Sequence, residues 1–93
     1  MIRSFADKDT ERVFSGRRPK RLSGQILDRA EAKLLILDSV ADIEELRMPP
    51  GNRLEQLKGD RVGQWSVRIN DQYRICFIWE DGDAYDVEIT DYH

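Results

Sequence analysis

Three stretches in the last third of the chain alternate apolar and polar residues, and this pattern most restricts how the sequence can fold. Apolar side chains occupy every second position in residues 65–69, 73–79 and 84–90. Because successive side chains of a strand point to opposite faces of a sheet, the alternation indicates three strands with one buried face. Asn70-Asp71-Gln72 and Asp81-Gly82 lie between them and are typical of tight turns. The sequence therefore predicts an antiparallel meander.

Two short elements are predicted near the start of the chain. Residues 1–5 alternate apolar and polar side chains as a short strand would. Residues 7–11 are rich in side chains that favour helix starts, so a brief helix through Phe14 should follow. Pro19 then disfavours helical geometry in the basic loop, residues 16–21, whose cations are Arg17, Arg18, Lys20 and Arg21.

The main helix is predicted after Ser23. Apolar residues recur there at three-and-four spacing, with no proline before residue 48. Residues 41–47 can form a further helical segment, which residues 49–52 end in a turn. Helices followed by hairpins indicate an α+β fold, a single domain over residues 1–93 with N-terminal helices packed on one face of an antiparallel sheet.

Composition limits the kinds of site and of partner. One cysteine, Cys76, and one histidine, His93, exclude an internal disulfide and the usual closed zinc sites. No apolar run is long enough to span a membrane and no signal-peptide core is present, so we expect a soluble cytoplasmic protein with no membrane partner. The net charge is −3, but every lysine and arginine lies in residues 1–78. A basic face for a phosphate-bearing partner is therefore compatible with the acidic total.

Four cations lie on the predicted strands and their loops. Arg68 and Arg74 are out of phase with the apolar residues of their strands, so both should point away from the core. Adjacent strands would put them on one face. Lys58 and Arg61 lie in a turn just before the strand that begins at residue 65. We expect a cationic surface on the sheet face that is turned away from the helices.

Tyr92 and His93 follow the last predicted strand and are candidate acid/base groups. Histidine, with an unperturbed pKa near about 6.5, exchanges protons readily at neutral pH. If the last strand pairs with the strand of Arg74, the two residues approach the same surface. RNA cleavage by attack of a 2′-hydroxyl needs proton transfer at both oxygens and cations that stabilise charge on phosphorus. Such cleavage needs no metal ion or other cofactor.

Each candidate also has a purely structural interpretation. Charged residues on strands usually form solvated faces, and a histidine at a chain end is ordinarily frayed. The basic loop is either solvated, a contact for RNA phosphates or part of a partner groove. Cys76 is expected to be a buried small hydrophobe. The aromatic side chains are expected in the core rather than stacked on bases, and they are Trp65, Tyr73, Phe77, Trp79 and Tyr85.

Several segments, taken together, resemble a HigB-type toxin of the RelE superfamily, in the plasmid maintenance system killer family. The resemblance runs nearly end to end. Its segments are Met1-Ile2-Arg3-Ser4-Phe5, Pro50-Gly51-Asn52-Arg53-Leu54, Leu57-Lys58-Gly59-Asp60-Arg61, Gly63-Gln64-Trp65-Ser66-Val67-Arg68, Tyr73-Arg74-Ile75 and Asp91-Tyr92-His93. It implies a small twisted antiparallel sheet with helices packed on it. It also implies a type II toxin that cuts messenger RNA on translating ribosomes.

The resemblance also implies residue roles and partners. It carries four residues to the catalytic centre: Lys58, Arg74, Tyr92 and His93. Arg61 and Arg68 would contact phosphate or ribosomal RNA, with the basic loop as a further RNA contact. Some relatives have a histidine three residues before the matching lysine, where this chain has Glu55. The implied partners are a HigA-type helix-turn-helix antitoxin, the ribosome and messenger RNA, with operator DNA bound only through the antitoxin complex.

Two alternatives to a ribosome-dependent endoribonuclease remain open from the sequence. One is a non-enzymatic toxin, similar to ParE, that binds DNA gyrase. The other is a weakly active toxin that acts mainly through the antitoxin complex, in repression of its own promoter. The retained cations and histidine argue against the first, and Glu55 is the motive for the second.

Overall fold

A computed structural model describes residues 1–91, in which two α-helices precede a four-stranded antiparallel sheet. The helices are α1 (Lys8–Phe14) and α2 (Gly24–Ser39). The strands are β1 (Glu55–Gln56), β2 (Trp65–Arg68), β3 (Tyr73–Glu80) and β4 (Asp83–Asp91), in the spatial order β1-β2-β3-β4. The predicted α+β fold and the meander are confirmed. No helix within residues 1–91 is both long and apolar enough to cross a membrane.

The hydrophobic core lies between the helices and one face of the sheet. The apolar stripe of α2 is buried as predicted, and it consists of Ile26, Leu27, Ala30, Leu34 and Leu37. Ile75, Phe77 and Ile89 are buried from the sheet side. The side chain of Asp7 caps α1 by accepting from the Thr10 amide at 2.7 Å. Thr10 Oγ1 then accepts from the Ile89 amide at 3.0 Å, so α1 is tied directly to β4.

The start of the chain runs parallel to β4. Isolated bridges join Ile2 to Ala84 and Phe5 to Val87, where the sequence predicts a short strand. The pairing is interrupted because β4 bulges: Asp86 has a φ of 52° and the β3–β4 register shifts opposite Phe77. The segment therefore lines the edge of the sheet without becoming a continuous strand.

A buried asparagine holds the turn between the helical half and the sheet. The predicted helical segment before it forms as a 3₁₀ helix, Ile43–Arg47. Asn52 is 1% exposed, and its Nδ2 donates to the carbonyls of Leu46 at 3.1 Å and Met48 at 3.2 Å. Lys33 of α2 donates to its Oδ1. These bonds fix the short 3₁₀ helix Pro50–Asn52 on α2 and so place the chain that enters β1.

Candidate active site

Charged and polar side chains gather on the sheet face that is turned away from the helices. Arg68 of β2 is directly opposite Arg74 of β3, and Arg74 is opposite Thr90 of β4. Opposite residues of an antiparallel pair project from the same face. Arg68 and Arg74 therefore share one face, as the alternation of the sequence predicts. Ser66 and Cys76 form the next pair along this face.

Arg74 is held in place by acceptors from neighbouring parts of the chain. Its Nε donates to Ser66 Oγ at 2.8 Å, and its Nη2 donates to the Arg53 carbonyl at 2.7 Å. Its Nη2 also lies 3.5 Å from Glu55 Oε1, and the side chain is only 12% exposed. An arginine fixed in this way presents a positive charge whose position does not depend on a bound ligand.

Arg68 and Arg74 line a cavity of about 260 Å³ together with Arg53, Asn70 and Asp71. Arg68 is paired with Asp71, whose side chain is 97% exposed. Arg53 lies in the segment of residues 50–54, and the sequence alone predicts no functional role for it. The one sequence feature that points to Arg53 is its position: it ends the turn Pro50-Gly51-Asn52-Arg53, two residues before Glu55. The structure brings it to the candidate site.

Arg61 reaches the same face from the loop before β2. Its Nη2 lies 3.2 Å from Glu88 Oε1, and its Nη1 donates to Gln64 Oε1 at 3.0 Å. Cys76 is fully buried on this face, as expected. Burial raises the pKa of its thiol, although nearby cations act in the opposite direction. The thiol is therefore protonated at neutral pH and is not a nucleophile.

Lys58 precedes the short 3₁₀ helix Gly59–Arg61 and is exposed. Within residues 1–91 its ammonium group makes no hydrogen bond or ion pair. The predicted pairing of the last strand with the strand of Arg74 is confirmed, since β4 continues to Asp91 opposite Tyr73. Tyr92 and His93 lie outside the described residues.

The basic loop does not join this group. Two of its three arginines are paired with carboxylates: Arg18 lies 2.9 Å from Asp28 and 3.2 Å from Glu31, both in α2. Arg21 is paired in the same way with Asp7 and Asp9 of the α1 start. Hydrogen bonds from Arg12 and Arg21 lower the pKa of Asp9. The loop joins the two helices that cover the opposite face of the sheet.

The arrangement can bind phosphate through fixed guanidinium groups, with the Glu55 carboxylate beside them. In the part of the chain that the structure describes, no group of three or more histidine, cysteine, aspartate or glutamate side chains is placed to hold a metal ion. The guanidinium groups themselves offer anion binding and stabilisation of negative charge.

Comparison with known sequences places these features in a family. Residues 3–93 match the model of a family described as the RelE-like toxin of type II toxin–antitoxin system HigB. The chain is 41% identical over 85 residues to Toxin HigB-1 of Vibrio cholerae serotype O1, with 90% of each chain covered. It is 36% identical over 93 residues to Endoribonuclease HigB of Proteus vulgaris, with 100% of each covered.

Solved structures share the fold at low sequence identity. A mutant of YafQ from E. coli superposes with a TM-score of 0.63 at 10% identity, covering 98% of this chain and 91% of that one. YoeB in the YoeB–YefM complex from Staphylococcus aureus gives a TM-score of 0.61 at 15% identity, covering 100% and 98%. At these identities the likeness shows the fold alone.

Proposed function

Because the chain belongs to the HigB family of RelE-like toxins of type II toxin–antitoxin systems, we propose that it is a ribosome-dependent endoribonuclease that cleaves messenger RNA without a metal ion. A full-length relative is named Endoribonuclease HigB. The observation that carries the proposal is the fixed guanidinium of Arg74, which is held by Ser66, Glu55 and the Arg53 carbonyl.

Arg74 stabilises the charge that develops on the scissile phosphate. When a 2′-hydroxyl attacks phosphorus, negative charge grows on the non-bridging oxygens, which the fork of a guanidinium matches. Because protein groups already hold Arg74, little reorganisation is needed at the moment of reaction. Lys58, exposed beside the sheet, supplies a second cation, and Arg61 and Arg68 bind flanking phosphate or ribosomal RNA.

Proton transfer is assigned to Tyr92 and His93. The attacking 2′-hydroxyl loses a proton and the leaving 5′-oxygen gains one, which requires groups that exchange protons near neutral pH. Glu55 occupies the position where some relatives have a histidine. Its carboxylate lies 3.5 Å from the guanidinium of Arg74, so it orients that side chain but also repels phosphate. We therefore propose that Glu55 lowers the rate of cleavage.

The partners follow from the same proposal. A HigA-type helix-turn-helix antitoxin neutralises the toxin, and operator DNA is bound through their complex. The toxin acts in the cytoplasm, where translating ribosomes present messenger RNA. The basic loop contacts ribosomal RNA mainly through Arg17 and Lys20, which are not held by carboxylates of the helices.

Primer-extension mapping of messenger ends in a translating extract tests the proposal. We expect the intact chain to produce new cuts, and deletion of residues 92–93 to abolish them. Arg47→Ala is the matched control, because Arg47 is exposed and paired with Glu44 away from the cavity. If the intact chain inhibits growth without cutting messenger RNA, the proposed nuclease activity is wrong. Inhibition of DNA supercoiling by gyrase is then the next assay.

A further inference from the structure

We propose that Arg53 is an additional RNA-binding residue, which holds the phosphate next to the scissile one in the cavity that it shares with Arg68 and Arg74. The inference rests on the proposed function, since it places a second phosphate of the same RNA strand beside Arg74. No role for Arg53 follows from the composition or the strand pattern of the sequence.

The cavity has the charge and the size for a phosphate group. Its lining includes the guanidinium-bearing residues Arg53, Arg68 and Arg74 and one carboxylate, Asp71. Asp71 is 97% exposed, so solvent screens it and the net character of the cavity is cationic. At about 260 Å³ the cavity is smaller than the roughly 300–1,000 Å³ of small-molecule pockets. The cationic lining, rather than the volume, favours a phosphate over an uncharged ligand.

The side chain of Arg53 is available for a ligand. Within residues 1–91 its guanidinium makes no hydrogen bond or ion pair, whereas Arg68 is paired with Asp71. An arginine that lines a cationic cavity without a carboxylate partner is suited to take an anion as its partner. RNA supplies successive phosphates, so one can contact Arg74 while its neighbour contacts Arg53.

The backbone of Arg53 also orients Arg74. Arg53 adopts the left-handed conformation, with φ 45° and ψ 55°, and its amide donates to the Pro50 carbonyl at 3.1 Å. This conformation is rare for a residue with a Cβ and persists where the surroundings enforce it. It directs the Arg53 carbonyl to Arg74 Nη2 at 2.7 Å. One residue thus fixes the neighbouring cation through its backbone and lines the cavity with its side chain.

Glycine separates the two roles of Arg53. Arg53→Gly removes the guanidinium, but glycine adopts the left-handed conformation freely, so the carbonyl can still accept from Arg74. Arg53→Lys keeps a positive charge at the end of a long side chain. Arg47→Gly is the matched control, because it replaces an exposed arginine that, like Arg53, lies at the C-terminal end of a short 3₁₀ helix, but away from the cavity. Thermal unfolding of each variant checks that it is folded.

The test uses NMR to measure the binding of a 2′-O-methyl trinucleotide at several salt concentrations. This RNA cannot be cut, because its 2′-oxygens are blocked. We expect Arg53→Gly to weaken binding about three- to tenfold and to lower the slope of log affinity against log salt by about 0.7, the value for one lost phosphate contact on a single strand. Arg53→Lys should keep most of the slope, and Arg47→Gly should match the intact chain.

Three results would overturn the inference. The first is that the intact chain shows no measurable binding of the trinucleotide. The second is that Arg53→Gly leaves the affinity and the salt slope unchanged. The third is that Arg53→Gly and Arg53→Lys lose affinity equally without a change of the slope. The result is separable from the proposed function. If Arg53→Gly lowers the salt slope but the intact chain does not cleave messenger, the phosphate site stands and the proposed nuclease activity is wrong. If the intact chain cleaves messenger but Arg53→Gly leaves the slope unchanged, the nuclease activity stands and the phosphate site is wrong.

Discussion

Arg74 and the arginines of the basic loop are the same residue type in opposite settings. Arg74 is 12% exposed, and its contacts include a hydroxyl and a backbone carbonyl in addition to the Glu55 carboxylate at 3.5 Å. Arg18 is 47% exposed and contacts two carboxylates of α2. Two hydrogen bonds of Arg74, at 2.7 and 2.8 Å, go to neutral acceptors, which do not offset its charge, whereas both of these contacts of Arg18 go to carboxylates, which do. The density of cations along a sequence therefore does not by itself locate a phosphate site. Arg61 and Arg68 also have a carboxylate partner, but they lie on the same sheet face as Arg74, whereas Arg18 does not.

Replacing Arg74 should have the largest effect on catalysis. Arg74→Ala is expected to slow messenger cleavage about 10²- to 10³-fold, the usual cost of removing a fixed group that stabilises transition-state charge. Initial rates of cut formation in a translating extract measure this. A loss below about fivefold would show that the guanidinium of Arg74 is not the catalytic cation. Arg74 would then not differ in function from the arginines of the basic loop.

Removing the hydroxyl that holds Arg74 should have the next largest effect. Ser66→Ala deletes the acceptor of Arg74 Nε, so we expect a roughly tenfold fall in kcat with a smaller change in KM. Ser66→Thr keeps a hydroxyl and should recover part of the rate. Ser39→Ala, at the end of α2, is the control. Equal rates in Ser66→Ala and the intact chain would mean that neutral acceptors do not position Arg74.

Changing Glu55 should raise activity moderately. Glu55→His removes a negative charge near the bound phosphate and supplies a second imidazole, so we expect cleavage at pH 7 to rise about fivefold. Glu55→Gln, which removes only the charge, should give a smaller rise. If both variants cleave more slowly than the intact chain, the carboxylate itself takes part in proton transfer and its assigned role is wrong.

The basic loop should show the smallest effects. Arg17→Gln with Lys20→Gln is expected to weaken ribosome binding about threefold, because two cations not held by carboxylates are removed. Arg18→Gln with Arg21→Gln should weaken it less, since helix carboxylates already offset those charges. Cosedimentation with ribosomes at two salt concentrations measures both. A larger loss of ribosome binding in Arg18→Gln with Arg21→Gln would contradict the claim that ion pairing keeps these arginines from contacting RNA.

Local patterns were enough to predict the sheet and part of the site. Alternation in residues 65–69 and 73–79 predicts the central hairpin, and it places Arg68 and Arg74 on one face. It also predicts most of the aromatic core: Phe77 is buried, and the half-buried Trp65, Tyr73 and Trp79 pack against the core. The prediction for Tyr85 is wrong, because Tyr85 precedes the bulge at Asp86 and is only half-buried, away from the core cluster. These features follow from the period of a strand, which neighbouring residues alone determine.

Features set by distant contacts could not be predicted. β1 has two residues, too few for an alternation to show. Arg53 enters the cavity because the turn before it is tied to α2 through Asn52 and Lys33. The pairing of Arg18 with α2 likewise depends on how the loop folds back on the helix. Sequence periodicity carries no information on such contacts, so the cations of the loop and of the site looked equivalent.

The most direct test compares one arginine from each setting in the same assay. Arg74→Gln and Arg21→Gln each remove one guanidinium, and their rates of messenger cleavage would be measured side by side in a translating extract, with folding checked by thermal unfolding. We expect Arg74→Gln to lose at least about 10²-fold while Arg21→Gln stays within about threefold of the intact chain. Equal losses in the two variants would contradict the claim that the guanidinium of Arg74, held by Ser66 and the Arg53 carbonyl, is the centre of the site.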